Sequence, residues 1–178
     1  MKNVLFLFVL LSLFQSPVFS QNSKFAISTN LLNLAAKGPS VALSYKATPH
    51  LSYQIYVSQG RLTENYNFKT ALIEMKYAFW DFMYVGPYLR YIEKRVQREG
   101  ITDNTGLFST PDRNFYGQGI SSGLTLGIKP IESDKLMVEC FAGLGYGRFV
   151  KQIDYDNPKD RRSAFPDARV GLLVGFKW

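Results

Sequence analysis

The stretch VGLLVGFKW places Val170, Leu172, Val174, Phe176 and Trp178 at alternate positions, with Arg169, Gly171, Leu173, Gly175 and Lys177 between them. Side chains of an extended chain point alternately to opposite faces, so one face of this segment is greasy and the other is small or charged. The same period returns along the chain, and it predicts an all-β fold.

Read this way, the chain holds eight strands. The first runs from Phe25 to Leu32, with Phe25, Ile27, Thr29 and Leu31 opposed to Ala26, Ser28 and Asn30; a loop with Lys37-Gly38-Pro39 follows. The second sets Val41, Leu43 and Tyr45 against Ser40, Ala42, Ser44 and Lys46, and the third sets Leu51, Tyr53, Ile55 and Val57 against Ser52, Gln54, Tyr56 and Ser58. In the fourth, Ala71, Ile73, Met75 and Tyr77 oppose Leu72, Glu74, Lys76 and Ala78. The fifth sets Met83, Val85, Pro87, Leu89 and Tyr91 against Tyr84, Gly86, Tyr88 and Arg90. Pro87 is a blemish there, because proline removes a ladder donor. The sixth sets Ile120, Ser122, Leu124, Leu126 and Ile128 against Ser121, Gly123, Thr125, Gly127 and Lys129. The seventh sets Val138, Cys140, Ala142, Leu144 and Tyr146 against Glu139, Phe141, Gly143, Gly145 and Gly147. VGLLVGFKW closes the set.

Connections after strands two, four and six read as short, the last of them being KPIESDK. Those after three, five and seven read as longer polar loops, over 59–69, 93–114 and 149–166. Short turns at one end and long loops at the other are a property of outer-membrane barrels.

The two faces bear on the environment. Lys46, Glu74, Lys76, Arg90, Lys129, Glu139, Arg169 and Lys177 all fall in the register opposite the apolar one. A lysine or arginine on a lipid face near the midplane costs about 2–4 kcal/mol, and the segregation is what that penalty produces. A soluble barrel would turn the faces inside out, with the apolar face lining the interior. The charged face here is rich in Gly, Ser and Ala, which suits the crowded interior of an eight-stranded barrel. The expectation is an eight-stranded antiparallel up-and-down transmembrane barrel. Its 11 tyrosines and 14 phenylalanines would supply the aromatic girdles. Its lumen would be filled by side chains, with Lys46, Glu74, Lys76, Arg90, Glu139, Arg169 and Lys177 as a charge network and no wide pore.

The N-terminus agrees with export. Lys2 precedes an apolar run from Val4 to Phe14, and Val18-Phe19-Ser20 follows a polar break. The run is shorter than the roughly 20 residues of a spanning helix, so it reads as a signal peptide over 1–20, cleaved after Ser20, with the barrel domain over 21–178. Cys140 is the only cysteine, so no intrachain disulfide forms and no lipid-anchoring cysteine follows the signal.

The signal, the alternating strands and the terminal VGLLVGFKW resemble small outer-membrane barrels of the OmpA/OmpX type. AISTNLLNLAAKGPSVALSYK, VGPYLRY and Gln21 resemble an uncharacterised barrel family from Bacteroidetes. The resemblance implies a Gram-negative outer membrane. It also implies that Val170, Leu172, Val174, Phe176 and Trp178 form the signal read by the barrel-assembly machinery. It implies no activity.

The residues offer little catalytic chemistry. His50, the only histidine, lies in the turn between strands two and three, away from any nucleophile a Ser-His mechanism would need. No histidine cluster is available for a metal, and no cofactor is expected. The loop DYDNPKD gathers Asp154, Asp156, Asn157 and Asp160 but lacks the glycine and distal glutamate of an EF-hand loop. The formal charge of +7 could draw lipopolysaccharide phosphates to Arg95, Arg98, Arg161 and Arg162. Scattered charge and export argue against nucleic acid. The expected role is structural or one of surface interaction, in an oligomeric state the residues do not fix. The alternatives are a narrow channel or small-solute transporter, a lipid-modifying enzyme, and a soluble periplasmic ligand-binding barrel.

Overall fold

In the computed structural model, which describes residues 23–98, 100–102, 109–110, 113–155 and 164–178, the alternating segments form strands. These are β1 (Phe25–Asn30), β2 (Ser40–Lys46), β3 (Leu51–Thr63), β4 (Tyr66–Trp80) and β5 (Met83–Arg98). They continue with β8 (Arg113–Glu132), β9 (Leu136–Asp154) and β10 (Ala164–Lys177), and a small ribbon of β6 (Ile101–Thr102) and β7 (Ser109–Thr110) lies between β5 and β8. The eight long strands close into one antiparallel barrel in the order β1-β10-β9-β8-β5-β4-β3-β2. The last strand pairs with the first, Ala26 opposite Lys177 and Asn30 opposite Leu173, so the ring has no free lateral edge at this seam. The segment 1–20 lies outside the described residues.

The faces follow the alternation. Val41, Leu43, Ile55, Ile73, Leu89, Leu124, Leu144 and Val170 point outward and are exposed, Leu144 at 75% and Val170 at 65%. Ala42, Gln54, Leu72, Tyr84, Thr125, Glu139 and Leu173 point inward and are buried. The interior is filled by pairing large against small. The Tyr84 ring occupies the space a side chain on Gly127 would take, and the Phe141 ring does the same at Gly171. Pro87 is accommodated by a local break in the β4–β5 ladder between Glu74–Tyr88 and Tyr77–Val85, where Gly86 lets the backbone of Met75 come close.

The sequence reading needs correction at several strand ends. The first strand stops at Asn30, two residues early, and Leu31–Ala35 form a short helix, α1. Asn30 causes the change: its side chain accepts from Leu32 N–H as an N-cap and from Leu172 N–H at 3.1 Å, tying off the β1–β10 seam. Asn33 pins the return by donating to Gly38 O and to Gln59 O. Leu31, Leu32 and Leu34 of α1 face outward and are exposed.

The expected loop over 59–69 is almost entirely strand, with only Glu64-Asn65 turning between β3 and β4. The expected loop over 93–114 gives Glu93–Arg98 to β5, and the one over 149–166 gives Phe149–Asp154 to β9 and Ala164–Pro166 to β10. KPIESDK likewise gives Lys129–Glu132 to β8, with a bulge between Ile128 and Ile131 that shifts the register against β9. Strands that continue past an apolar belt into water carry polar residues on their outward face, and that polarity reads as loop. The barrel is therefore taller than its apolar band, and shortest along β1 and β2.

Candidate functional site: the charged lumen and its mouth

The inward register of β4, β5, β9 and β10 brings ionic side chains together inside the ring. Among the described residues, three ion pairs cross it. Arg169 on β10 reaches Glu74 on β4 at 3.1 Å, between strands diametrically opposite in the ring. Lys76 on β4 pairs with Glu139 on β9, and Arg90 on β5 pairs with Asp167 on β10 at 2.7 Å. Removing charge from water without a partner is costly, and two of the pairs, Lys76–Glu139 and Arg90–Asp167, carry further hydrogen bonds.

Tyr84 Oη donates to Glu139 at 2.6 Å, and Lys76 Nζ also donates to Gln54 Oε1. Asp167 is the most connected group: it accepts from Arg90, from Ser121 Oγ at 2.6 Å and from Tyr88 Oη at 3.1 Å. Arg90 Nε in turn donates to Thr70 Oγ1 at 2.8 Å. The Arg169 guanidinium stacks between the rings of Phe141 and Tyr88, 4.4 and 5.0 Å from their centroids. Such a lumen is cross-braced rather than open.

Some expected members lie elsewhere. Lys177 and Lys129 stand at the mouth on the short-turn side and share one carboxylate, Glu132, at 3.0 and 3.4 Å. Burial raises the Glu132 carboxyl, but the two ammonium groups outweigh it and hold it below the usual carboxylate range. Lys46 is exposed at the same mouth and joins none of these pairs. Asp167 was missed, because it falls just after Pro166 at the boundary of a stretch read as loop. Its only sequence signal was parity with Arg169 and Gly171.

Above the lumen pairs, Phe149 packs edge to face on Phe115 and tilted by 40° on Phe165, and Lys94 lies over Phe165 at 4.9 Å. His50 lies in the β2–β3 turn, its Nδ1 3.2 Å from Ala78 O. Arg95 is outward and exposed on β5. The side chain of Arg98, and Arg161, Arg162, Asp156, Asn157 and Asp160, lie outside the described residues. Asp154 ends β9. Cys140 is a free thiol on the outward face of β9. Val170, Leu172, Val174 and Phe176 all lie on the outward face of β10, and Trp178 follows it, stacked on Phe25 of β1 at 6.5 Å.

Three solved structures resemble the barrel at a distance. The Acinetobacter baumannii protein CarO is 14% identical, with a TM-score of 0.45 over 90% of this chain and 100% of that one. A second A. baumannii structure, CarO2, is 14% identical at 0.45 over 88% and 98%. The N-terminal β-barrel domain of Pseudomonas aeruginosa OprF is 11% identical at 0.41 over 89% and 100%. Likenesses this remote transfer neither residue roles nor ligands. No curated protein matches the sequence. A family model matches residues 4–165, and the chain belongs to that family, described as a protein of unknown function, DUF3575.

Proposed function

We propose that this chain spans the outer membrane of a Gram-negative bacterium as a closed barrel, reached through a signal peptide cleaved after Ser20. Its role there is structural or one of surface interaction rather than catalysis. One observation carries the reading: around the ring the outward face is apolar and exposed, while the ionic groups are paired inside. A soluble protein rarely exposes a contiguous apolar patch above a few hundred Å². A closed barrel in lipid exposes such a band around its girth. Phe25, Tyr45, Tyr53, Tyr77, Trp80, Phe82 and Trp178 edge the short-turn end and suit an interfacial girdle.

Beyond the apolar band at the other end, Arg61, Lys69, Arg95 and Arg148 form an exposed basic collar. That collar supports lipopolysaccharide phosphate as a partner, with Arg98, Arg161 and Arg162 as further candidates. The outward face of β10 supports recognition by the barrel-assembly machinery. The resemblance of the segments 26–46 and 85–91 to Bacteroidetes barrels supports an origin there.

The test is heat modifiability. Extracted from membranes in mild detergent, the unboiled protein is expected to migrate apart from the boiled band on an SDS gel. Recovery in the soluble periplasmic extract without a shift would reverse the faces and sink the proposal.

A narrow conductance is the second reading. Glu74 Oε1, Arg169 Nη1, Gln54 Nε2 and Thr125 Oγ1 are buried without a protein partner, and such atoms suit a thread of water through the lumen. Planar-bilayer recordings decide: the braced lumen predicts no steady current above background.

A further inference from the structure

We propose that the mouth of the barrel on the short-turn side binds a phosphate group between Lys24 and Lys46. The pairing Phe25–Tyr45 and Ala26–Ser44 continues to Lys24 opposite Lys46, and Lys46 N–H donates to Lys24 O at 2.7 Å. Both lysines share the register of Ala26 and Ser44, which faces the lumen. Like charges directly opposite on neighbouring strands destabilise a sheet.

Neither ammonium has a carboxylate partner among the described residues. The two carboxylates lining the same cavity are already engaged, Glu132 by Lys129 and Lys177, and Glu139 by Lys76. The cavity therefore carries a surplus of positive charge that an anion would neutralise.

The cavity holds about 50 Å³ and is open to solvent, so a small anion such as phosphate can enter it. Lysine ammonium groups bind phosphate as point charges with rotatable donors. The phosphate could belong to a lipid headgroup at the rim or to a free ion.

The experiment uses the folded barrel, in detergent for the first arm, which does not depend on the chain spanning a bilayer. Inorganic phosphate is titrated against chloride at equal ionic strength, and the thermal midpoint is read. The wild type should gain a saturable rise. The K24Q/K46Q double variant should bind at least tenfold more weakly, and K135Q, in an exposed turn, should behave as wild type. Should the double variant not fold, K46E serves: it sets a carboxylate opposite Lys24 and should raise the midpoint in chloride while losing the phosphate response.

The second arm uses nanodiscs of phosphatidylglycerol or phosphatidylcholine. If a headgroup fills the site, phosphatidylglycerol stabilises the wild type but not the double variant, and added phosphate does nothing more. If a free ion fills it, phosphate acts alike in both lipids. The proposal is overturned if neither phosphate nor phosphatidylglycerol raises the wild-type midpoint, or if the lysine variants respond as fully as wild type. Heat modifiability is scored separately, so failure here is distinct from failure of the membrane reading.

Discussion

Asp167→Ala is expected to destabilise the barrel by about 3–5 kcal/mol, the cost of leaving a buried cation without its counter-charge. The carboxylate is 5% exposed and accepts from three side chains, so one truncation strands Arg90, Tyr88 and Ser121 together. Arg90 is held inside the ring by Thr70 and has no described carboxylate other than Asp167 within ion-pair distance. Removing the guanidinium as well, in D167A/R90M, should recover part of the loss, because an apolar replacement of a buried pair is often close to neutral. The check is a double-mutant cycle by urea unfolding in detergent or liposomes. A coupling energy near zero would mean that water, not Asp167, solvates Arg90. Asp167→Asn keeps the volume and part of the hydrogen bonding but loses the charge, and should fall between wild type and alanine.

The faces of the strands were legible because a two-residue period survives any uncertainty about pairing. Glu74, Lys76, Glu139 and Arg169 could be assigned to the interior from parity alone. Their partners could not, because which inward residue meets which across a ring depends on the stagger of the strands. That stagger appears only when Ala26 is seated opposite Lys177. Asp167 was lost for a different reason. It lies where β10 leaves the apolar band, and there Pro166 and Ala164 give no outward greasy signal.

The upper strands failed similarly. Arg61, Lys69 and Arg95 occupy outward ladder positions but are charged and exposed, so their chemistry imitates a loop. Leu31 and Leu32, the first two residues of the helix after Asn30, read as strand because leucines facing outward satisfy either conformation. Only the side chain of Asn30, shared between Leu32 and Leu172, decides it. The opposed lysines at 24 and 46 were individually visible, but their juxtaposition needed the β1–β2 register.

Leu124→Arg separates the membrane barrel from a soluble one more sharply than any lumen variant. Leu124 is the middle of the outward positions Ile120 to Ile128 on β8, is 61% exposed, and lies beside Leu144 and Pro87 on the flanking strands. In water, arginine at so exposed a site should change stability by no more than about 0.5 kcal/mol, and solubility should improve. In a bilayer the same charge sits near the midplane and costs about 2–4 kcal/mol. The expected result is lower folding yield into liposomes and a lower urea midpoint there. Val150→Arg is the control: Val150 is 71% exposed but follows Arg148, above the apolar band. At that depth the cost should fall to about 0–1 kcal/mol. A depth-dependent penalty, large at 124 and small at 150, is produced only by lipid against the outward face. Equal tolerance of arginine at both positions would instead mean that the apolar face meets water or another protein surface, and the membrane assignment would be lost even with the closed ring intact.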